Sequence, residues 1–205
     1  ERNREELLKH LEFTTTMLRT IDTPIGPLLL TADADGLSRV DFVAIQLGRR
    51  ETSKVRGEVS RDRNEESKGH RETIKVRGEV SGGVNGGIDK RGADILDAAQ
   101  EQLAEYFARR RREFDLPLNP APTTKFRAQI HAQLDTIDYG EISSYGELAA
   151  AVGRPAATRA VGTACGANPL PIIRPCHRVL RSDGTLGGYA GGLDIKRFLL
   201  TLEEN

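Results

Sequence analysis

Cys176 and His177 stand side by side in the run Pro175-Cys176-His177-Arg178-Val179. A cysteine beside an imidazole is a candidate activated thiol. Free cysteine is mostly protonated near neutral pH, and a nearby histidine can shift it toward the thiolate, the form that does nucleophilic chemistry. Neighbours in sequence need not face each other, so the pair fixes the residue types and leaves the contact open. Cys165 is the only other cysteine. Two cysteines make neither a disulfide framework nor a four-ligand metal set. For a lone cysteine the bland reading is an inert buried thiol.

A reactive thiol needs a scaffold, and 205 residues can bury a core in one domain or two small ones. Residues 1–16 read as a polar extension with a short helical pattern at Leu7, Leu8 and Leu11. Leu28 to Ala32 and Leu37 to Phe42 are strand-like, and Asp33-Ala34-Asp35-Gly36 between them predicts a hairpin. Leu96, Ala99, Leu103 and Tyr106/Phe107 form one helical stripe. Arg109 to Arg112 follow it, where cations suit the helix dipole; a phosphate contact is the alternative. Leu116 to Pro122 reads as a Pro-rich linker, which puts a domain boundary at 121/122.

Beyond that linker, Phe126, Ile130, Leu134 and Ile137 mark another helical face. Ser144-Tyr145-Gly146-Glu147 fits a capping box, opening a helix whose stripe is Tyr145, Leu148, Ala149 and Val152. Gly153-Arg154-Pro155 ends it and starts the next, with proline in the first turn. Helix, glycine turn, helix is a helix-turn-helix pattern, although any two packed helices give it as well. From Ala156 to Ala167 nearly every side chain is small, and Arg159 is the one long one. Such a helix either packs tightly inside the protein or lies close in a narrow DNA groove. Ile195, Phe198, Leu199 and Leu202 mark the stripe of a last helix, with Glu203 near its edge. The dipole disfavours an acid there, so Glu203 is expected to have another partner; a solvated tail acid like Glu204 is the alternative.

Residues 48–92 differ, being rich in charge and glycine. They hold a near duplication: Glu51 to Ser60 recurs as Glu72 to Ser81. Too few copies are present for a solenoid, so the segment is either a mobile surface insertion or an accessory hairpin. Thirty basic residues balance thirty acidic ones, and from Pro122 onward nine oppose eight. Nucleic-acid binding would therefore depend on local surface and shape, not on a strong overall field. The sequence has no hydrophobic run of membrane length and no signal-peptide pattern, and a reducing cytoplasm is the expected setting.

Asn168 to Val179 fit the pattern N-P-x-P-x-x-x-P-C-H-R-V throughout, and Gly187-Gly188-Tyr189-Ala190-Gly191-Gly192-Leu193 follows. In these motifs the chain resembles the O6-alkylguanine-DNA alkyltransferases, suicide DNA-repair methyltransferases. The likeness is strong from Phe126 to Glu203, weaker over 18–42 and 93–122, and absent from 1–16 and 48–92. It implies an α/β chain with a small N-terminal ribonuclease-H-like α/β domain over 17–121. A mainly helical domain with a winged-helix-type helix-turn-helix would follow over 122–205. It also implies a monomer that binds duplex DNA through the minor groove, flips O6-alkylguanine, and moves the alkyl group irreversibly to Cys176, with O4-alkylthymine as a second substrate. No organic cofactor and no catalytic metal are implied.

Roles follow the same likeness. His177 is the base, acting through a water, and Glu203 completes the relay. Asn168 braces the turn before the active-site strand, and Tyr145 helps rotate the target nucleotide. Arg159 is the finger that fills the stack, on a helix whose Ala157, Ala160 and Gly162 approach the DNA. Pro171, Val179, Tyr189 and Ala190 line the base pocket. Three residues depart from the pattern. Ala190 stands where many relatives have serine, removing a donor near the guanine oxygen. Arg174 replaces an aliphatic residue in the active-site strand, where an outward-facing side chain is the simple expectation. His131 replaces an aromatic, without a functional account. The rivals are a lesion-flagging module, which usually lacks the cysteine; a regulator using the helix-turn-helix alone; and an unrelated thiol hydrolase.

Overall fold

The computed structural model describes residues 16–43 and 90–204; the duplication and most of the extension lie outside them. Strands β1 (Met17–Ile21), β2 (Leu28–Ala32) and β3 (Leu37–Phe42) form an antiparallel sheet in that order. The expected hairpin is β2–β3. Its turn is held by Asp33, whose Oδ1 accepts from the backbone N–H groups of Asp35 and Gly36. Alternation works as strand geometry requires: Leu28, Leu30 and Ala32 are fully buried. β1 had no strand prediction; it pairs with β2 from Met17↔Ala32 to Ile21↔Leu28.

Helix α1 (Lys90–Phe107) lays Leu96, Ala99, Leu103 and Tyr106 onto this sheet. It begins inside the segment 48–92, so Lys90, Arg91 and Gly92 belong to the helix. The arginine run lies outside its last turn. Arg109 adopts φ 58° and closes the end, donating its N–H to Tyr106. The Arg109 guanidinium donates to the Thr201 carbonyl, Arg111 pairs with Glu105, and Arg112 lies 5.3 Å from the Tyr139 ring centroid. Arg109 and Arg112 thus make tertiary contacts, and Arg111 pairs back onto the last turn of α1. The supposed linker is pinned as well. Leu37 donates to the Pro117 carbonyl at 2.7 Å, and Asn119 donates back to Leu37 at 3.0 Å.

The second half holds α2 (Lys125–Leu134), β4 (Ser143–Ser144), α3 (Tyr145–Ala151), α4 (Thr158–Gly166), β5 (Val179–Leu180) and α5 (Leu193–Glu203). The capping box at Ser144 is present with both of its hydrogen bonds. Pro155 is not in the first turn of α4; it sits in the preceding turn, and Ala157 is the N-cap. Ile130, Leu134, Leu148, Ala149, Val161 and Ala164 pack where α2, α3 and α4 meet. Leu170, Ile172, Leu199 and Leu202 instead join the core under the N-terminal sheet. Each such side chain contributes about 1.5–3 kcal/mol when fully buried. Val40 donates to the Pro169 carbonyl at 2.9 Å, and a Cβ at Gly191 would come within 2.9 Å of the Phe42 ring. The sheet thereby braces the segments on both sides of Cys176. Among the described residues no helix is long and apolar enough to cross a membrane.

Candidate active site

Cys176 is not on a strand. It opens a single 3-10 turn, Cys176–Arg178, that leads into β5. Proline at 175 suits the start of this turn, and β5 pairs in parallel with β4 just before Tyr145. The thiol is buried, and Asn168 Nδ2 donates to its Sγ at 3.3 Å. That amide also donates to the Arg174 carbonyl at 2.9 Å, while its oxygen accepts from Leu170 N–H at 3.1 Å. Asn168 therefore fixes the turn and touches the sulfur together. Burial pushes the Cys176 thiol up; the Asn168 hydrogen bond and the charges of Lys196 and Arg174 oppose that.

His177 is fully buried, with Nε2 2.9 Å from Glu203 Oε1. A carboxylate only accepts, so Nε2 carries the hydrogen and Nδ1 presents a lone pair. Nδ1 has no hydrogen-bond partner among the described residues. Burial lowers the His177 pKa, which leaves the imidazole neutral and able to take a proton.

Glu203, in the last turn of α5, is also buried. Its Oε1 further accepts from Tyr106 Oη at 2.6 Å and Arg178 Nη2 at 2.9 Å. Its Oε2 accepts from Arg178 Nε at 2.8 Å and Gly140 N–H at 3.3 Å. Burial alone would raise its pKa, but the hydrogen bonds from His177 and Arg178 win and hold the carboxyl far below the usual carboxylate range. The expected partner of this acid is thus a network spanning both halves of the chain.

Two family models match the chain: the ribonuclease-like domain of 6-O-methylguanine DNA methyltransferase over residues 17–120, and its DNA-binding domain over 125–205. The chain belongs to the 6-O-methylguanine DNA methyltransferase family. A methylated-DNA–protein-cysteine methyltransferase from Methanosarcina barkeri is 40% identical over 185 residues, covering 90% of this chain and 95% of the relative. The crystal structure of the Mycobacterium tuberculosis O6-methylguanine methyltransferase is 34% identical, with a TM-score of 0.65 and 93% of each chain covered. The OGT of the same organism in complex with DNA is 35% identical, with a TM-score of 0.64, covering 91% of this chain and 92% of that one. The fold is that of the methyltransferase: a ribonuclease-like domain carrying the sheet, then a helical DNA-binding domain.

Within this methyltransferase fold the other named residues divide by place. Tyr145 is half-buried and lies over Gly187, where a Cβ would collide with its hydroxyl and ring. Gly162 faces the same ring, and a Cβ built there would lie 3.8 Å from it, in ordinary contact. Arg159 and Ala160 are exposed on α4, and Ala157 is half-buried at its start. Pro171 and Val179 are buried, and Ala190 is half-buried. Tyr189 packs edge-on against Phe42 at 5.7 Å and His177 at 6.4 Å. Its buried hydroxyl has no partner among the described residues.

Lys196 was missed. It is fully buried, donates from Nζ to the Val179 carbonyl at 2.5 Å, and lies 5.9 Å from the Tyr145 ring centroid. Burial lowers its pKa, and the neighbouring Cys176 and Cys165 oppose that shift. The signal was its spacing: 196, 199 and 203 share one face of α5. The buried stripe is Lys196, Leu199, Leu202 and Glu203, whereas Phe198 is exposed. His131 also has a place now, with Nε2 3.0 Å from the Ala164 carbonyl, tying α2 to α4.

Proposed function

We propose that Cys176 is the alkyl acceptor in direct reversal of O6-alkylguanine damage in duplex DNA, with O4-alkylthymine as a further substrate. The observation that carries this reading is the buried thiol held by Asn168, next in the chain to a His177 whose Nδ1 has no hydrogen-bond partner among the described residues and whose Nε2 is anchored on Glu203. The chain acts as a monomer and approaches the minor groove with α4. The exposed face of that helix is small apart from Arg159, which enters the base stack as the damaged nucleotide swings into the pocket. Tyr145, Pro171, Val179, Tyr189 and Ala190 surround the base.

Chemistry follows from the protonation states. His177 Nδ1 takes the thiol proton through a water, and Glu203 stabilises the resulting imidazolium. The sulfur electron pair forms the S–C bond as the C–O6 bond breaks. Guanine leaves with the bonding pair on O6 and takes up one proton. The thioether does not hydrolyse, so each molecule acts once.

Peptide mass spectrometry after incubation with a duplex carrying one O6-methylguanine tests this. One added methyl on the Cys176 peptide, with one equivalent of lesion consumed, is expected. Tight lesion binding with no mass change would instead identify a lesion-flagging module. Arg159→Ala is expected to slow transfer from duplex by about tenfold, the size of a contact of ~1–3 kcal/mol, and to leave transfer from the free base nearly unchanged. Equal losses on both substrates would remove the finger role.

A further inference from the structure

Residues 168–176 reach Cys176 through strained backbone. Ile172 has φ 76°, in the left-handed region that a β-branched side chain avoids. Such a conformation persists only where its surroundings over-determine it. Part of the hold is local: Arg174 N–H donates to the Leu170 carbonyl at 2.8 Å, and Ile172 is buried in the N-terminal core. The Arg174 carbonyl then does two things. It accepts from Asn168 Nδ2 at 2.9 Å and from Cys176 N–H at 2.8 Å. One backbone oxygen thus sets both the sulfur's own residue and the sulfur's hydrogen-bond donor.

The Arg174 side chain does not face outward, as the simple sequence expectation had it. It is buried, and its Nε donates to both oxygens of Asp135, at 2.9 and 3.1 Å. Asp135 is the C-cap of α2, the helix that His131 ties to α4. An aliphatic residue, the usual type at 174, could not make this connection. We infer that Arg174 is a positioning residue for the transfer: its ion pair with Asp135 anchors the strained segment to α2 and so fixes the carbonyl that holds Asn168 and Cys176. This rests on Cys176 as the acceptor.

The pair also acts by charge, so the test must separate charge from position. Besides Arg174, the thiol faces Asn168 on its own loop, Lys196 on α5, Cys165 on α4, Tyr145 on α3, and Tyr189; His131 on α2 lies by the Arg174–Asp135 pair, with Arg127 near His131. Arg174→Leu removes a cation near the thiol, and Asp135→Asn removes an anion. Three quantities are measured on the full chain against pH: the single-turnover methyl-transfer rate constant at saturating duplex, the Kd for that duplex, and iodoacetamide alkylation of Cys176. The alkylation is read by peptide mass spectrometry, with Cys165 resolved separately. A first-order rate constant does not depend on how much of the chain is folded.

Both variants are expected to lower the maximal transfer rate by about tenfold, as a small displacement of a reacting group does, with Kd unchanged. Their thiol midpoints move oppositely, up in Arg174→Leu and down in Asp135→Asn. Arg174→Lys restores the midpoint and not the rate. A wild-type maximal rate in either variant, or full rescue by lysine, overturns the positioning role. If the wild-type chain puts no methyl on Cys176, the transferase reading fails separately. The alkylation profiles then still decide on Arg174: opposite midpoint shifts, with a lowered alkylation ceiling in both variants, uphold the anchor, and unmoved profiles overturn it.

Discussion

Cys176→Ala is expected to leave O6-methylguanine in the duplex untouched while the chain still binds it. The substitution removes one buried sulfur. Asn168 loses that acceptor and keeps the Arg174 carbonyl, so the turn stays in place at a cost on the order of 1 kcal/mol. The exposed face of α4 is unaltered, so duplex affinity is expected within about twofold of wild type. Transfer, by contrast, has no replacement nucleophile. Burial pushes the Cys165 thiol up to about 12, so it stays protonated at neutral pH. Loss of a nucleophile costs at least about a thousandfold in rate, which puts the variant at background. Quantifying residual lesion by digestion and chromatography, next to a fluorescence-anisotropy titration, reads both halves. Lesion cleared by the variant, or a methyl found on the Cys165 peptide, would sink the assignment.

What the sequence reveals is local or repetitive. Two strand-like runs joined by Asp33-Ala34-Asp35-Gly36 gave the β2–β3 hairpin, and Ser144 with Glu147 gave a helix start at Tyr145, because each signal is complete within a few residues. The motif around Cys176 supplied the site's residue types. Its geometry depends on partners far along the chain. Glu203 meets Tyr106 across 97 positions, and Arg174 meets Asp135 across 39. No periodicity encodes such pairs, so Arg174 read as an outward residue and Tyr106 as a simple core aromatic. Lys196 was hidden for a related reason. A lysine within an apolar stripe reads as polar, and its burial rests on partners distant in sequence, the Val179 carbonyl and the Tyr145 ring. The stripe placed the end of α1 at Phe107; what it did not show is how the helix stops, with Arg109 in a conformation that glycine usually supplies.

Glu203→Gln is the second large effect, and it separates catalysis from binding while also striking stability. Glutamine has nearly the same shape, but one of its terminal groups is a donor. The two carboxylate oxygens meet Tyr106, His177 and Arg178 on one side and Arg178 and Gly140 on the other, all of them donors. Whichever way the amide turns, its NH2 opposes at least one of them, and Arg178 is left a buried cation without an anion. Breaking a buried ion pair from one side costs about 3–5 kcal/mol. The His177 imidazolium formed during transfer also loses its counter-charge, so the rate should fall by about a hundredfold or more with duplex Kd unchanged. The acid response carries the same signature. Glu203 has its folded pKa depressed, so its contribution is full above its unfolded value, about 4.3, and drains away as pH falls through the lower folded value. His177 and His131 are likewise depressed, as bases buried neutral, and their contributions begin to be lost below about 6.5. Denaturant unfolding as a function of pH should therefore show two zones of acid loss in the wild-type chain. Glu203→Gln should start lower, keep the histidine zone and lack the one below about pH 4. Equal stability near neutral pH, or an unchanged acid limb, would mean that Arg178 and His177 find their charge balance elsewhere.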